Sequence, residues 1–395
     1  MIEETDLTTL SYNLLDLHLK VGYQKCPFCK RDQKFRVLNN RYKCFHPECQ
    51  QQGTIVDLVQ WHKNCSRSKA IQLVRGEDFQ ARDAWKKRNH LLSQVFSSYQ
   101  NGLTDECLDF LNQRGYGICL ESVEFGFARG SQYLQSRGFD LAELVSLGLA
   151  YSDGREFFRD RVIFGIRDFK SRLVHLQGRS IHAEESVRWL STPSHFNDQD
   201  INPITNYLFG GNQHIDNPPE WLFLAEGISD ALTLIELNVP CVACFGVQVN
   251  LCRFTALFEK ATNLVVVLDN DVYPLMTEHA GLYKSWTPML ESLTQLQTAF
   301  PQLKIWCAPP PNIKGIKDVN NWYMTEKLTP ESFAQGIKRQ SQTLFDFALN
   351  TFRGHREYHP LLLRLLKAQP NSQRRETYRQ ILPTDIVSYL LEVYG

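Results

Sequence analysis

The stretch WLFLAEGISD, residues 221–230, is an apolar strand pattern that ends in an acidic residue and passes into a helix pattern. Three more apolar runs of strand length follow it, with helix patterns at 228–237 and 278–299: PCVACFG (240–246), NLVVVLD (263–269) and LKIWCAPP (303–310). The run NLVVVLD is continuous and rich in β-branched residues, as in strands buried on both faces of a sheet. The alternation of strand and helix predicts an α/β fold with a parallel sheet covered by helices.

Acidic residues follow three of these predicted strands at the points where the strands end. They are Glu226, Asp269 with Asp271, and Asp318. Because the carboxyl ends of parallel strands meet at one edge, where such sheets bind ligands, we expect these carboxylates to converge. Asp230 lies one helical turn after Glu226, over the same edge. Oxygen ligands suit Mg²⁺ or Mn²⁺, so the sequence predicts a divalent-cation site that can clamp phosphates.

A second group of chemically active residues lies near the N-terminus, where four of the eleven cysteines fall within 24 residues. They form two pairs separated by 14 residues, Cys26 with Cys29 and Cys44 with Cys49. Four thiolates that arrive as two close pairs fit one tetrahedral, structural Zn²⁺. The second gap is wider than the first, and His46 in place of Cys44 would restore a two-residue gap. Both ligand sets remain open from the spacing alone.

The segment around these cysteines is basic and aromatic. Residues 20–48 hold eight basic and two acidic residues, and four aromatic residues lie in or near that span: Phe35, Tyr42, Phe45 and Trp61. Basic residues interleaved with aromatic ones suit single-stranded nucleic acid, because bases stack on rings while phosphates pair with cations. The alternative is a solvated basic face around a small core.

Charge is divided unevenly along the chain although it sums to zero over 43 basic and 43 acidic residues. The two ends are basic and the middle, where the carboxylates lie, is acidic. Such a division suits a protein that binds both phosphates and metal ions. No apolar run reaches the roughly 18 residues of a membrane helix, and the acidic N-terminus does not resemble a signal peptide. We therefore expect a cytoplasmic protein, associated with the nucleoid, with no membrane partner.

These motifs together resemble the DnaG-type primases of bacteria and phages, in order over about residues 20–325. CPFC…CFHPEC…GTIVDLV (26–59) resembles their zinc-binding domain. The start of their RNA polymerase core and its basic subdomain are matched by segments that lie within 108–128, 147–168, 178–180 and 189–193. EGISDAL (226–232), DND (269–271) and KDVN (317–320) resemble the three motifs of the TOPRIM fold.

The resemblance implies a role for each site residue. Glu226, Asp269 and Asp271 would be catalytic and, with Asp318, would bind Mg²⁺, while Asp230 would support the site. Arginines would contact template, nascent RNA or nucleotide phosphates: Arg114, Arg159, Arg161, Arg179 and, in place of a family lysine, Arg188. The family has aspartate where this chain has Asn320, which leaves the contribution of that position to metal binding open.

The implied architecture is a multidomain α/β chain. It comprises a zinc ribbon, a mixed α+β basic subdomain, a TOPRIM parallel-sheet core and a small helical region. We expect the boundaries to be a zinc-binding domain at 1–75, a linker at 76–100, the basic part of the polymerase core at 101–215, the TOPRIM domain at 216–340 and the C-terminal helices at 341–395. That last region is shorter than the helicase-binding domain of housekeeping primases, which favours a primase of a phage, plasmid or other mobile element.

The function that the resemblance implies is DNA primase, a DNA-directed RNA polymerase that synthesises short RNA primers on a single-stranded DNA template. Its partners would be that template, ribonucleotides, the RNA primer and a replicative helicase. Two alternatives remain: a TOPRIM nuclease or other strand-cleaving enzyme, and a non-catalytic replication or recruitment factor that binds nucleic acid. A topoisomerase would need a nucleophilic tyrosine in a separate domain, which the sequence does not locate.

Overall fold

The structure, a computed structural model, divides the chain into two compact units, Met1–Leu91 and Leu92–Gly395. The residues that it describes are 7–15, 17–38, 41–117, 119–193, 195–196, 199–200, 203–269, 283–311, 313, 315–352, 361–362 and 364–365. Within these ranges no helix combines the length and the apolar character that a membrane span requires.

The first unit is built on a four-stranded antiparallel sheet in the order β1-β2-β3-β4. Its elements are α1 (Leu7–Leu15), β1 (Gly22–Gln24), β2 (Phe35–Leu38), β3 (Arg41–Cys44), β4 (Gln52–Gly53) and α2 (Ile55–His62). Strand alternation places Phe35, Val37 and Tyr42 in a core with Leu58 and Val59 of α2. The first turn of α2 is fixed by the Thr54 backbone N–H, which donates to the Asp57 carboxylate at 2.7 Å.

Helix α3 (Arg67–Gln100) begins in the first unit and ends in the second. An antiparallel sheet, β5-β6-β7-β8, follows it in the second unit. The elements of this part are α4 (Asp105–Gln113), β5 (Phe125–Ala128), α5 (Tyr133–Ser136), α6 (Leu141–Ser146), β6 (Arg161–Arg167), β7 (Leu173–Ser180), β8 (Trp189–Ser191) and a hairpin of β9 (His195–Phe196) with β10 (Gln199–Asp200). The last turn of α3 lies directly on β5, since a Cβ atom at Gly126 would stand 2.5 Å from the Tyr99 carbonyl carbon.

The rest of the second unit forms the predicted parallel sheet, in the order β12-β11-β13-β14-β15, with only β15 antiparallel. Its strands and helices are α7 (Gly211–His214), β11 (Trp221–Ala225), α8 (Ile228–Glu236), β12 (Cys241–Ala243), α9 (Thr255–Phe258), β13 (Asn263–Val267), α10 (Tyr283–Ala299), β14 (Lys304–Cys307), α11 (Val319–Glu326), α12 (Pro330–Gln340), β15 (Gln342–Thr343) and α13 (Leu344–Phe352). Every residue of β13 is buried, as its continuous apolar run predicts. The multidomain α/β fold class is thus confirmed.

The beginning of the C-terminal region belongs to the core of this sheet. Strand β15 pairs with β14, and Leu344 and Phe345 of α13 pack in the same hydrophobic cluster as β11 and β13. Leu361, Leu362 and Leu365 join that cluster as well. Residues 366–395, where the sequence suggests further helices, lie outside the described part of the chain.

Candidate functional site

The four cysteines of the first unit come together in one cluster. Their Sγ atoms all lie within 4.8 Å of one another, with 3.9 Å between Cys26 and Cys49 and 3.8 Å between Cys29 and Cys44. Because tetrahedral zinc holds thiolates at about 2.3 Å, neighbouring sulfurs in such a site lie roughly 3.8 Å apart. The geometry of the cluster therefore fits a zinc ion, and the cluster contains Cys44 and not His46, which favours the four-cysteine ligand set.

Two tight backbone turns hold the cysteine pairs in place. The Lys30 N–H donates to the Cys26 carbonyl at 3.0 Å, and the Cys49 N–H donates to the His46 carbonyl at 3.0 Å. Burial raises the pKa of the Cys26 thiol to about 12, whereas the Arg31 backbone N–H lowers the pKa of the Cys29 thiol. Since zinc binds thiolates, ion binding at this cluster must release protons.

The solvent side of the same sheet carries a row of cationic and aromatic side chains. Tyr23, Arg36 and Lys43 face one another across β1, β2 and β3. The Arg36 guanidinium lies 5.3 Å from the centre of the Tyr23 ring, and the Lys43 ammonium lies 5.3 Å from that of Phe45. A groove of about 500 Å³ runs beside them, lined by Arg36, Leu38, Arg41, Tyr42, Lys43, Phe45, Gln52 and Gly53.

The aromatic residues of this segment divide differently from the sequence interpretation. Phe35 and Tyr42 are buried in the core, so nucleic-acid bases cannot stack on their rings. Phe45 and Trp61 are exposed, as base stacking requires. Tyr23, which the sequence analysis missed, is exposed and its ring centre lies 5.9 Å from that of Phe45. The alternation of β2 and β3 was the available signal, because it places Phe35 and Tyr42 on the core face.

The second site is at the carboxyl edge of the parallel sheet, where three elements deliver acidic side chains. Glu226 follows β11 with its Oε2 atom buried, Asp269 follows β13, and Asp318 caps α11 by accepting the Asn321 N–H at 2.7 Å. The Lys317 ammonium lies 3.6 Å from the Asp269 carboxylate. Asp271, the remaining predicted ligand, lies outside the described residues.

The electrostatic environment of Asp230 indicates that these carboxylates lie near one another. It is buried in the first turn of α8, and burial raises its pKa well above the ordinary value. The charges of Asp269, Asp318 and Glu226 raise that pKa further, while the Asn320 backbone N–H, at 3.3 Å, opposes them. Carboxylates collected in this way repel one another unless a cation is bound. Among the described residues only the four cysteines bring three or more ligand atoms within 4.8 Å, so the acidic group is a looser assembly.

The raised pKa of Asp230 gives a prediction for the chain without Mg²⁺ or Mn²⁺. Since the folded state favours the protonated acid, this group's contribution to stability is fully present below its unfolded-state pKa of about 3.9 and is lost as the pH rises toward the folded-state value. We expect Asp230→Asn to raise the melting temperature more at pH 8 than at pH 5, whereas the exposed control Asp216→Asn changes neither. An equal effect at both pH values would contradict the assignment.

Predicted arginines gather beside the carboxylates. Burial, together with the charges of Arg114 and Arg188, lowers the pKa of the Arg179 guanidinium to about 10. The guanidinium lies 5.4 Å from the centre of the Trp189 ring. Arg114 and Arg179 line one crevice together with Tyr116 and Trp189, and within the described residues no acceptor reaches the buried Nε atom of either arginine. This crevice, with a volume of about 10 Å³, brings together the positive charges of two arginines and two Nε donors that lack an acceptor among the described residues.

Two of the predicted arginines have other surroundings. The Arg161 guanidinium is buried and donates to the carbonyls of Arg188 at 3.0 Å and Val187 at 2.8 Å and to the Glu185 carboxylate at 2.6 Å. These bonds hold the loop before β8, and the phosphate contact expected of Arg161 stays a prediction. Arg159 is largely exposed and pairs with Asp160 at 3.2 Å. It remains open to solvent on its other side.

The sequence is similar to those of known DNA primases. Residues 95–198 match the family described as DNA primase catalytic core, N-terminal domain. A DNA primase of Legionella pneumophila is 23% identical over 295 residues, which cover 69% of this chain and 49% of that protein. The chain thus spans about half the length of this curated relative.

Solved structures show the same fold. The zinc-binding and RNA polymerase domains of the Aquifex aeolicus primase align over 98% of this chain and 97% of that one, with a TM-score of 0.57 and 19% identity. A DnaG primase catalytic domain bound to single-stranded DNA aligns over 75% of this chain and 97% of that one, with a TM-score of 0.58 and 20% identity. In sequence and in fold, the chain resembles the DnaG-type primases, as its motifs predict.

Proposed function

We propose that this chain is a DNA primase that synthesises short RNA primers on single-stranded DNA by Mg²⁺-dependent nucleotidyl transfer. The observation that carries the proposal is the meeting of Asp230, Glu226, Asp269 and Asp318 at one sheet edge, beside the crevice of Arg114 and Arg179. A polymerase that joins nucleotides needs both features, a carboxylate site for cations and a cationic site for phosphates.

The residues at this edge suit the steps of nucleotidyl transfer. Asp269 and Asp318, with Asp271, would hold Mg²⁺ or Mn²⁺, which when bound neutralises charge that develops on the phosphate oxygens. Glu226, which directly follows β11 at the same edge, would accept the proton of the attacking 3′-hydroxyl. That hydroxyl forms a bond to the α-phosphate of the incoming ribonucleotide as the bond to pyrophosphate breaks. Arg114 and Arg179 would bind the phosphates of that nucleotide.

The zinc-bearing unit would bind the template. Tyr23 and Phe45 have exposed rings on which bases would stack. Arg36 and Lys43 each lie 5.3 Å from the centre of one of these rings and would bind the backbone phosphates. The relative of known structure that was solved with single-stranded DNA supports this choice of ligand class, although its DNA is bound by its catalytic domain. Zn²⁺ held by the four cysteines would stabilise the sheet that presents these side chains.

The proposal is tested by incubating the full chain with a single-stranded template, labelled ribonucleotides and Mg²⁺. We expect short labelled RNA that depends on template and on metal and that Asp269→Ala abolishes. Cleavage of the template without synthesis would contradict the proposal and favour a TOPRIM nuclease. Tight binding of DNA with no synthesis under any metal or template would favour the non-catalytic replication factor.

A further inference from the structure

Asn320 lies beside the carboxylate site, where the resembled family has an aspartate, and both ends of its side-chain amide make hydrogen bonds. The residue is 3% exposed, in the first turn of α11. Its Oδ1 atom accepts a hydrogen bond from Arg114 Nη2 at 2.9 Å. Its Nδ2 atom donates to the Arg114 carbonyl at 3.2 Å and to Thr233 Oγ1 at 3.0 Å. All three side-chain bonds therefore go to Arg114 and Thr233.

The chemistry of these bonds requires an amide. A carboxylate at this position would accept from Arg114 Nη2, but it has no proton to donate to the Arg114 carbonyl. Thr233 Oγ1 in turn donates to the Ser229 carbonyl at 3.1 Å, so it is well placed to accept from Asn320. Because Asn320 binds both the backbone and the guanidinium of Arg114, it fixes the direction of that side chain.

The backbone of Asn320 links the same residue to the acidic group. Its N–H donates to Asp230 Oδ1 at 3.3 Å. The end of α4, which carries Arg114, also lies directly on α11, since a Cβ atom at Gly115 would stand 2.5 Å from Tyr323 Cε1. One residue thus joins the arginine crevice to the carboxylate edge.

The held arginine keeps donors for a ligand. One Nη atom of Arg114 is used by Asn320, and within the described part of the chain its buried Nε atom has no acceptor. The guanidinium lies 5.9 Å from the centre of the Phe110 ring and 6.0 Å from that of Tyr116, so apolar faces flank it. A guanidinium that is held by Asn320 and whose Nε donor has no acceptor among the described residues is pre-organised for an anion.

We propose that Asn320 is a positioning residue that holds Arg114 for a phosphate group of the incoming nucleotide, and that it does not ligate the metal ion. The inference rests on the proposed function for the identity of the anion. Metal ligation then falls to Glu226, Asp269 and Asp318, with Asp271. Asn320, two residues after Asp318, therefore acts on the nucleotide through Arg114, which lies 206 residues earlier in the sequence.

The test compares Asn320→Ala, Arg114→Ala and the double variant. Asn212→Ala is the control, since the Asn212 amide donates to Ser171 and, among the described residues, has no bond to this site. We expect Asn320→Ala to raise the KM for ribonucleotide about tenfold, the order of one lost hydrogen bond to a charged group, with kcat changed less than about threefold. The double variant should be no worse than Arg114→Ala, because both changes remove the same contact. Additive effects on KM would overturn the inference.

Metal binding is measured separately, by electron paramagnetic resonance of Mn²⁺ with no nucleotide present. Asn320→Ala should bind Mn²⁺ with an affinity within about twofold of the parent chain, whereas Asp318→Ala should lose most of it. A large loss of Mn²⁺ affinity in Asn320→Ala would show that the residue is a ligand and would contradict the inference.

Two further measurements separate a failure of the proposed function from a failure of this inference. If the chain makes no RNA, the same cycle is measured on the dissociation constant for ATP, so the failure of the proposed function does not decide the role of Asn320. If Asn320→Ala fails to fold, Thr233→Val removes one partner of the amide at nearly constant volume, and it should raise the nucleotide constant in the same direction. No change in Thr233→Val would then count against the inference.

Discussion

Replacement of Asp269 by asparagine should reduce primer synthesis by a factor on the order of 10³, because a bound metal ion supplies several kcal/mol of charge stabilisation in the transition state. Asp269 follows the fully buried strand β13, so its backbone position is fixed by the core and the amide should occupy the same place. The change leaves the shape of the site intact and removes one anionic ligand. The rate of ribonucleotide incorporation at saturating template is the measurement.

Two controls separate a lost ligand from a damaged fold. The exposed Asp216→Asn, which lies before β11, should retain full synthesis. The melting temperature of Asp269→Asn should be no lower than that of the parent chain. Its ion pair with the largely exposed Lys317 contributes about 0–1 kcal/mol, and loss of its charge relieves repulsion with Asp230. Synthesis within about tenfold of the parent would remove Asp269 from the proposed metal site.

Replacement of Cys44 by serine should unfold the sheet of the first unit and release its zinc. Structural zinc contributes roughly 10–16 kcal/mol of apparent binding free energy in small domains, which is more than the stability of most domains. Cys44 is the last residue of β3 and is paired with Phe35 of β2. Loss of this ligand, and of the ion that it holds, therefore destabilises both strands. Zinc content by a colorimetric chelator and limited proteolysis within residues 20–62 are the measurements.

Cys65→Ser is the matched control for this change, because Cys65 lies against the same core but outside the cluster. It should keep one zinc per chain and the protease resistance of the parent. Retention of one zinc in Cys44→Ser, lost only when His46→Ala is added, would show that His46 is a ligand and would overturn the four-cysteine assignment.

Patterns local in the sequence predicted the parallel sheet and the zinc cluster. The continuous apolar run of β13 is found in a strand buried on both faces, and the two cysteine pairs meet as their spacing indicates. Both depend on short-range chemistry, β-propensity in one case and ligand geometry in the other. The convergence of Glu226, Asp269 and Asp318 followed from the shared direction of the strands.

Features that depend on distant contacts were not predictable in this way. In the sequence, nothing distinguishes Arg161 from the other basic residues of its segment. Its burial depends on the loop that ends at Arg188. From the sequence, Asn320 is an asparagine where the resembled family has an aspartate. Its contacts with Arg114 and Thr233 are formed only in the folded chain. The exposure of Tyr23 depends on the register of β1 against β2, which sequence alternation alone leaves undefined for a three-residue strand.

The sequence of the product tests the central claim most directly. The full chain is incubated with Mg²⁺, all four ribonucleotides and a single-stranded DNA of defined sequence, and the RNA is sequenced. We predict short RNA complementary to the template, absent when Mg²⁺ is omitted and absent with Asp269→Asn. RNA that does not depend on the template sequence, or cut DNA with no RNA, would contradict the account.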